Sequence, residues 1–153
     1  MALFPFFKKK KLLLASQEEL IVNAIRTAEK NTSGEVRVYI ESRCRFVDPV
    51  DRAMEVFFGL KMNDTDDHNG VVIYVALKDR QLAVYADEGI YKKVGKEFWQ
   101  NAVKQMLQLF NKADYVEGIC QTVTTIGQTL AKEFPYEAND DKNELPDEII
   151  FGK

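Results

Sequence analysis

Between Asn69 and Gly89 the chain carries two β-rich apolar runs joined by a short polar turn, and few folds accommodate such a stretch. The first run, Val71 to Leu77, has no polar side chain except the Tyr74 hydroxyl. It does not alternate between core and water, so it predicts a strand covered on both faces. Lys78 to Gln81 is short enough for a hairpin loop, and Leu82 to Ala86 is then expected to return antiparallel beside the first run. The chain enters this hairpin through Asp64-Thr65-Asp66-Asp67-His68-Asn69-Gly70 and leaves it through Asp87-Glu88-Gly89. A hairpin brings those two acidic segments to the same end of a sheet.

The flanking segments supply the covers. Ser16 with Glu19 has capping-box spacing, and a helix is expected from there to about Lys30, with Leu20, Ile21, Ala24, Ile25 and Ala28 on one face. Asn31-Thr32-Ser33-Gly34 stops it. Glu35 to Ser42 alternates, with Val36, Val38 and Ile40 to one side, and reads as a strand. Asp48-Pro49 opens the next helix, whose expected buried stripe is Val50, Met54, Phe57 and Phe58. A strand, a helix and a strand in succession predict a crossover that leaves the Glu35 and Val71 strands parallel. A helix from about Lys96 carries Phe98, Trp99, Ala102, Val103, Met106, Leu107 and Phe110 on its apolar face. Asp114 with Glu117 opens the last helix, lined by Val116, Ile119, Cys120, Val123, Ile126, Leu130 and Phe134 and ended by Pro135. The expected fold is α/β: a three-layer α/β/α sandwich around a small mixed sheet. Residues 1–15 form an N-terminal extension, 16–135 the domain, and 136–153 an acidic tail expected to lie on the surface.

Charge and cysteine usage narrow the function. A net charge of -3 on 153 residues provides no general basic excess for nucleic acid. Cys44 and Cys120 have no metal-ligand spacing and read as free thiols in a reducing cytoplasm. No apolar stretch approaches the ~20 residues of a membrane-spanning helix, and the Lys8–Lys11 run follows the short apolar start instead of preceding it as in a secretory signal. A cytoplasmic location is expected. The Phe-rich start beside four lysines either packs on the domain or makes a peripheral contact with an anionic membrane.

Several short motifs, taken in order, resemble the TPM domain family. They are Thr32-Ser33-Gly34-Glu35, Asn69-Gly70-Val71-Val72, Asp79-Arg80, Asp87-Glu88-Gly89-Ile90 and Ala113-Asp114-Tyr115, over about Glu19 to Phe134. The end of the chain, Asn143 to Gly152, is similar to a short soluble bacterial subgroup. The resemblance implies an α/β/α sandwich. It implies Ca²⁺ binding for some members and acid phosphatase activity for others.

The residues offer one candidate site. With the first two strands parallel, Glu35, Asp64, Asp66, Asp67, Asp87 and Glu88 belong to one end of the sheet. Ca²⁺ takes carboxylate and carbonyl oxygens, and an acidic loop suits it. The same loop also reads as solvated turn-forming residues. It is not an EF-hand, since the required Gly is absent. His68 is the only histidine, so one chain holds no His-rich metal site, and it reads as an exposed loop side chain. Asp79-Arg80 reads as an ion pair or turn cap. Two functions follow: a non-enzymatic accessory domain that binds a divalent cation and a protein partner, or a metal-dependent acid phosphatase acting on phosphomonoesters.

Overall fold

The computed structural model describes residues 12–112, 114–136 and 148–152. Its centre is a four-stranded sheet of β1 (Glu35–Glu41), β2 (Gly70–Ala76), β3 (Gln81–Ala86) and β4 (Ile150–Phe151), in the order β3-β2-β1-β4. β1 and β2 are parallel, with Glu35 opposite Gly70 and Glu41 opposite Ala76. β2 and β3 are antiparallel, with Val71 opposite Ala86. Every residue of β2 is buried, as its unbroken apolar run requires.

The covers are α1 (Ala15–Glu29), α2 (Pro49–Gly59), α3 (Glu88–Val94), α4 (Lys96–Asn111) and α5 (Tyr115–Glu133). Val36, Val38, Ile40, Val71, Ile73 and Val75 face one way and share a core with Ile21, Ile25, Trp99, Met106, Ile119, Val123, Ile126 and Leu130. Val72, Tyr74, Ala76 and Ala83 face the other way, onto Ala53, Val56, Phe57 and Met62. Three layers result; among the described residues α2, with Met62 after it, covers one side. α2 packs on β2 and β3, and the polar residues Arg37, Tyr39 and Glu41 of β1 lie on that same face of the sheet.

Several local expectations are corrected. The N-cap of α1 is Leu14, whose amide donates to Gln17 Oε1 at 2.8 Å, so the helix begins before the Ser16–Glu19 pair. Leu13, buried in the core, anchors the chain ahead of the helix and sets that earlier start. Leu20 faces solvent. In α2 the buried side chains are Ala53, Val56 and Phe57, while Val50, Met54 and Phe58 remain exposed. The sheet presents Tyr74 to this layer, and Ala53, Val56 and Phe57 are the side chains of α2 that pack with it. Asp48 caps α2 as expected, accepting from the Val50 amide at 2.9 Å. α3 has no counterpart among the expected elements. The tail does more than lie on the surface: Ile150 and Phe151 pair in parallel with Tyr39 and Ile40.

Candidate functional site

The amino ends of β1 and β2 and the carboxyl end of β3 meet at one edge of the sheet. The Glu35 amide donates to the Asn69 carbonyl at 3.4 Å, and the Asp87 amide to the Gly70 carbonyl at 2.9 Å. The loop that arrives here is tightly turned. Met62–Asp64 forms a short 3-10 helix, and Lys61 and His68 both adopt left-handed backbone conformations. Thr65 is buried and pins the loop from within: its hydroxyl accepts from the Asn69 amide at 3.3 Å and its carbonyl from the His68 amide at 3.4 Å. The Asn69 side chain donates to Ser33 Oγ at 3.3 Å, and its buried Oδ1 has no hydrogen-bond partner among the described residues. Gly89 lets the loop settle on α3, because a Cβ there would collide with the carbonyl oxygens of Asp67 and His68.

The six expected site residues share this edge but take different roles. Asp87 is buried, caps α3 by accepting from the Glu88 amide at 2.8 Å, and lies 3.3 Å from His68 Nδ1. Glu35 is buried at the start of β1. Asp64, Asp66, Asp67 and Glu88 face solvent. Among the described residues, no three His, Cys, Asp or Glu side chains are grouped so as to hold a metal. The loop presents the exposed carboxylates of Asp64, Asp66 and Asp67, while its Asp67 and His68 carbonyls pack against Gly89.

Sequence reasoning missed the surface beside this loop. A groove of about 640 Å³ runs along β3, with Val50 and Phe58 of α2 on one bank and Tyr91, Lys92 and Trp99 on the other. Val84, Tyr85 and Ala86 form its floor, and His68, Asp87 and Glu88 close one end. Tyr91 stacks on Trp99 at 6.5 Å between centroids, and Phe58 meets the Tyr85 ring edge-on at 6.0 Å. Burial, and then the charges of Asp87 and Glu88, push the Tyr85 phenol pKa up. The legible signal was the spacing Val50, Met54, Phe58, a second apolar stripe on α2. β3 is an edge strand. The Asp87 amide points inward to β2, so strand geometry turns the backbone groups of Leu82, Val84 and Ala86 outward. Among the described residues, nothing pairs with that edge.

The carboxyl ends of β1 and β2 are built differently. Glu41 is buried, accepts from Arg52 Nε at 3.0 Å and Nη2 at 3.1 Å, and receives the Tyr74 hydroxyl. Burial first, and then this contact, raise the Tyr74 pKa far above the ordinary phenol value. Hydrogen bonding to Glu41 holds Arg52 firmly protonated. The pair expected at Asp79-Arg80 forms with a different arginine: Asp79 accepts from Arg43 Nη1 and from the Cys44 amide, both at 2.8 Å. Both cysteines are free thiols. A seven-residue strand, about 20 Å of rise, separates this cationic end from the acidic one.

This arrangement defines an α/β sandwich built on a mixed sheet, with polar ends and an apolar groove along one edge. The chain belongs to the TPM domain family, whose profile matches residues 7–129. It is similar to the BA42 protein of the psychrophilic bacterium Bizionia argentinensis, at 42% identity and a TM-score of 0.85, over 95% of this chain and 99% of that one. The N-terminal domain of a protein from P. gingivalis shares the fold at 18% identity and a TM-score of 0.66, with 82% of each chain covered. So does the N-terminal domain of the cg2496 protein of Corynebacterium glutamicum, at 14% identity and a TM-score of 0.62, over 78% of this chain and 74% of that one. No curated protein sequence matches the chain. Among the described residues, no helix is long and apolar enough to cross a membrane.

Proposed function

We propose that the protein is a non-enzymatic cytoplasmic accessory domain that binds Ca²⁺ at its acidic edge and an extended segment of a protein partner along β3. One observation carries the reading: the acidic loop and the apolar groove share His68 and Asp87. A cation that draws in the Asp64–Asp67 carboxylates would stiffen the loop and set the position of His68 at the groove mouth. The groove offers aromatic anchors beside an open strand edge, a combination suited to strand addition by a partner. Arg43, Arg45 and Arg52 lie at the carboxyl end of β1, away from the Asp64–Asp67 carboxylates at its amino end, and this favours binding over phosphoryl transfer, which needs metal and cationic groups around one phosphate.

The test is a Ca²⁺ titration followed by amide NMR. Saturable shifts in Asp64–Asn69 and Asp87–Gly89 are expected, at an affinity on the order of tens of micromolar to millimolar. They are expected to vanish in the double variant Asp66→Asn, Asp87→Asn. Unchanged shifts in that variant would place the ion elsewhere. The phosphatase alternative is decided on the same protein with a generic phosphomonoester, with and without Ca²⁺ or Mg²⁺. Turnover of order one per second or faster, lost in the Asp variants, would overturn the accessory-domain reading.

A further inference from the structure

The recess at the carboxyl ends of β1 and β2 is a second site, independent of the acidic edge. It has a volume of about 540 Å³ and is lined by Glu41, Ser42, Arg43, Arg45, Arg52 and Lys78. Its two nearby carboxylates are already engaged. Glu41 is held by Arg52 and Tyr74, and Asp79 by Arg43 and the Cys44 amide. Those contacts fix two guanidinium groups in place. Arg52 is set further by Tyr39, whose hydroxyl lies 3.4 Å from Nη2 and whose ring lies 5.7 Å from the guanidinium carbon. Arg45 and Lys78 are exposed and have no ion-pair partner among the described residues. The two come from different segments, joined where the Lys78 amide donates to the Ser42 carbonyl at 2.8 Å. Four cations against two engaged carboxylates leave a local excess of positive charge in a chain whose net charge is -3.

The loop that supplies Arg43 and Arg45 also holds Phe46 wholly in solvent, with φ at 70°. A left-handed conformation is unfavourable for a bulky residue, and a fully exposed phenyl ring gains no burial in return. A bare inorganic anion would leave that ring unused. We infer that this recess binds an acidic peptide segment of a partner protein, with carboxylates at Arg45 and Lys78 and an apolar side chain against Phe46. Arginine forks match carboxylates in paired geometry, and arginine with aromatic residues is the composition of protein-binding surfaces.

The experiment uses a short acetylated peptide of alternating glutamate and leucine, titrated into the full chain and followed by amide NMR. Saturable shifts are expected at Arg43–Phe46 and Lys78, weakening as salt is raised to about 0.15 M, where charges more than about 8 Å apart are screened. Arg45→Gln with Lys78→Gln alters only exposed side chains and is expected to weaken binding about tenfold or more. Phe46→Gly relieves the backbone conformation, so the fold is preserved, and is expected to weaken the peptide as well. Three results would overturn the proposal: no saturable shift, tight binding of a glutamine-for-glutamate peptide, or Phe46→Gly binding the peptide as well as the parent. Inorganic phosphate shifting the same amides while the peptide does not would likewise overturn it, leaving a simple anion site.

Discussion

Replacing Gly89 by alanine sets two effects of opposite sign against each other. Gly89 is the second residue of α3, and its backbone is not left-handed. Helix propensity alone therefore favours alanine by at most ~1 kcal/mol. The surroundings oppose it. A Cβ at this position would meet the Asp67 carbonyl oxygen and lie 2.5 Å from the His68 carbonyl oxygen and 3.0 Å from its carbon. These are backbone atoms, so no rotamer change relieves the overlap, and the loop must retreat from α3. Retreat strains the bond from the Ile90 amide to the His68 carbonyl, now 3.2 Å, and draws His68 from Asp87. Overpacking of this kind costs ~1–3 kcal/mol and the hydrogen bond ~1 kcal/mol. The half-exposed His68–Asp87 pair adds little. The balance is a loss of roughly 1–3 kcal/mol, or a Tm about 3–10 °C lower for a chain of this size. Gly59→Ala is the matched control: outside its own helix backbone no atom of the described residues lies within 4 Å of its Cβ, and a small rise in Tm is expected. Thermal denaturation by circular dichroism measures both, and amide shifts at His68 and Ile90 report the loop. If Gly89→Ala matched or exceeded the parent's stability, the seating of the acidic loop on α3 would be wrong.

Ile73→Asp puts an unpaired charge at a fully buried position of β2 and is expected to abolish folding, seen as collapsed amide dispersion. Tyr74→Phe removes a buried hydrogen bond to a carboxylate and is expected to cost ~1.5–3 kcal/mol in urea denaturation at neutral pH. Its pH dependence has a definite sign. The folded state raises the Tyr74 pKa, so above about pH 10 the unfolded chain binds fewer protons and stability falls as pH rises. The parent is expected to lose ~1.4 kcal/mol per pH unit there from this one phenol, and the Phe variant to lack that share of the slope. Phe58→Ala strips a half-exposed ring that meets Tyr85 edge-on, so a stability loss of ~0.5–1.5 kcal/mol is expected while binding of a partner segment falls.

The layers were legible because burial dictates them. An apolar run such as Val71–Leu77 demands cover on both faces, and the parallel sense of β1 on β2 and the antiparallel sense of β3 on β2 follow from the helix and the turn between them. Helix faces were less legible. Val50, Met54 and Phe58 are as apolar as Ala53, Val56 and Phe57, and period alone cannot say which stripe meets the sheet. The size of Tyr74 in the facing layer enters that choice, and a side chain's room in a layer depends on partners distant in sequence. β4 was unreadable for a similar reason: two residues after a long acidic stretch carry no periodicity, and their place depends on the unpaired edge of β1.

The candidate site shows the same division. That Glu35, Asp87 and the Asp64–Asn69 loop share an edge is a consequence of topology, and the sequence is enough to place them there. What each carboxylate does is decided by neighbours. Asp87 has a cap to make and a histidine to face, whereas Asp66 has neither and remains in water. The apolar stripe left over on α2 has a consequence of its own. It lies beside an edge strand with outward backbone groups, and a strand edge flanked by apolar walls is an aggregation hazard unless something occupies it. Lys92 at the groove and the acidic residues at its end place charge where uncontrolled pairing would begin. Charge so placed disfavours self-association, and under the strand addition proposed above it would admit only a segment that can match it.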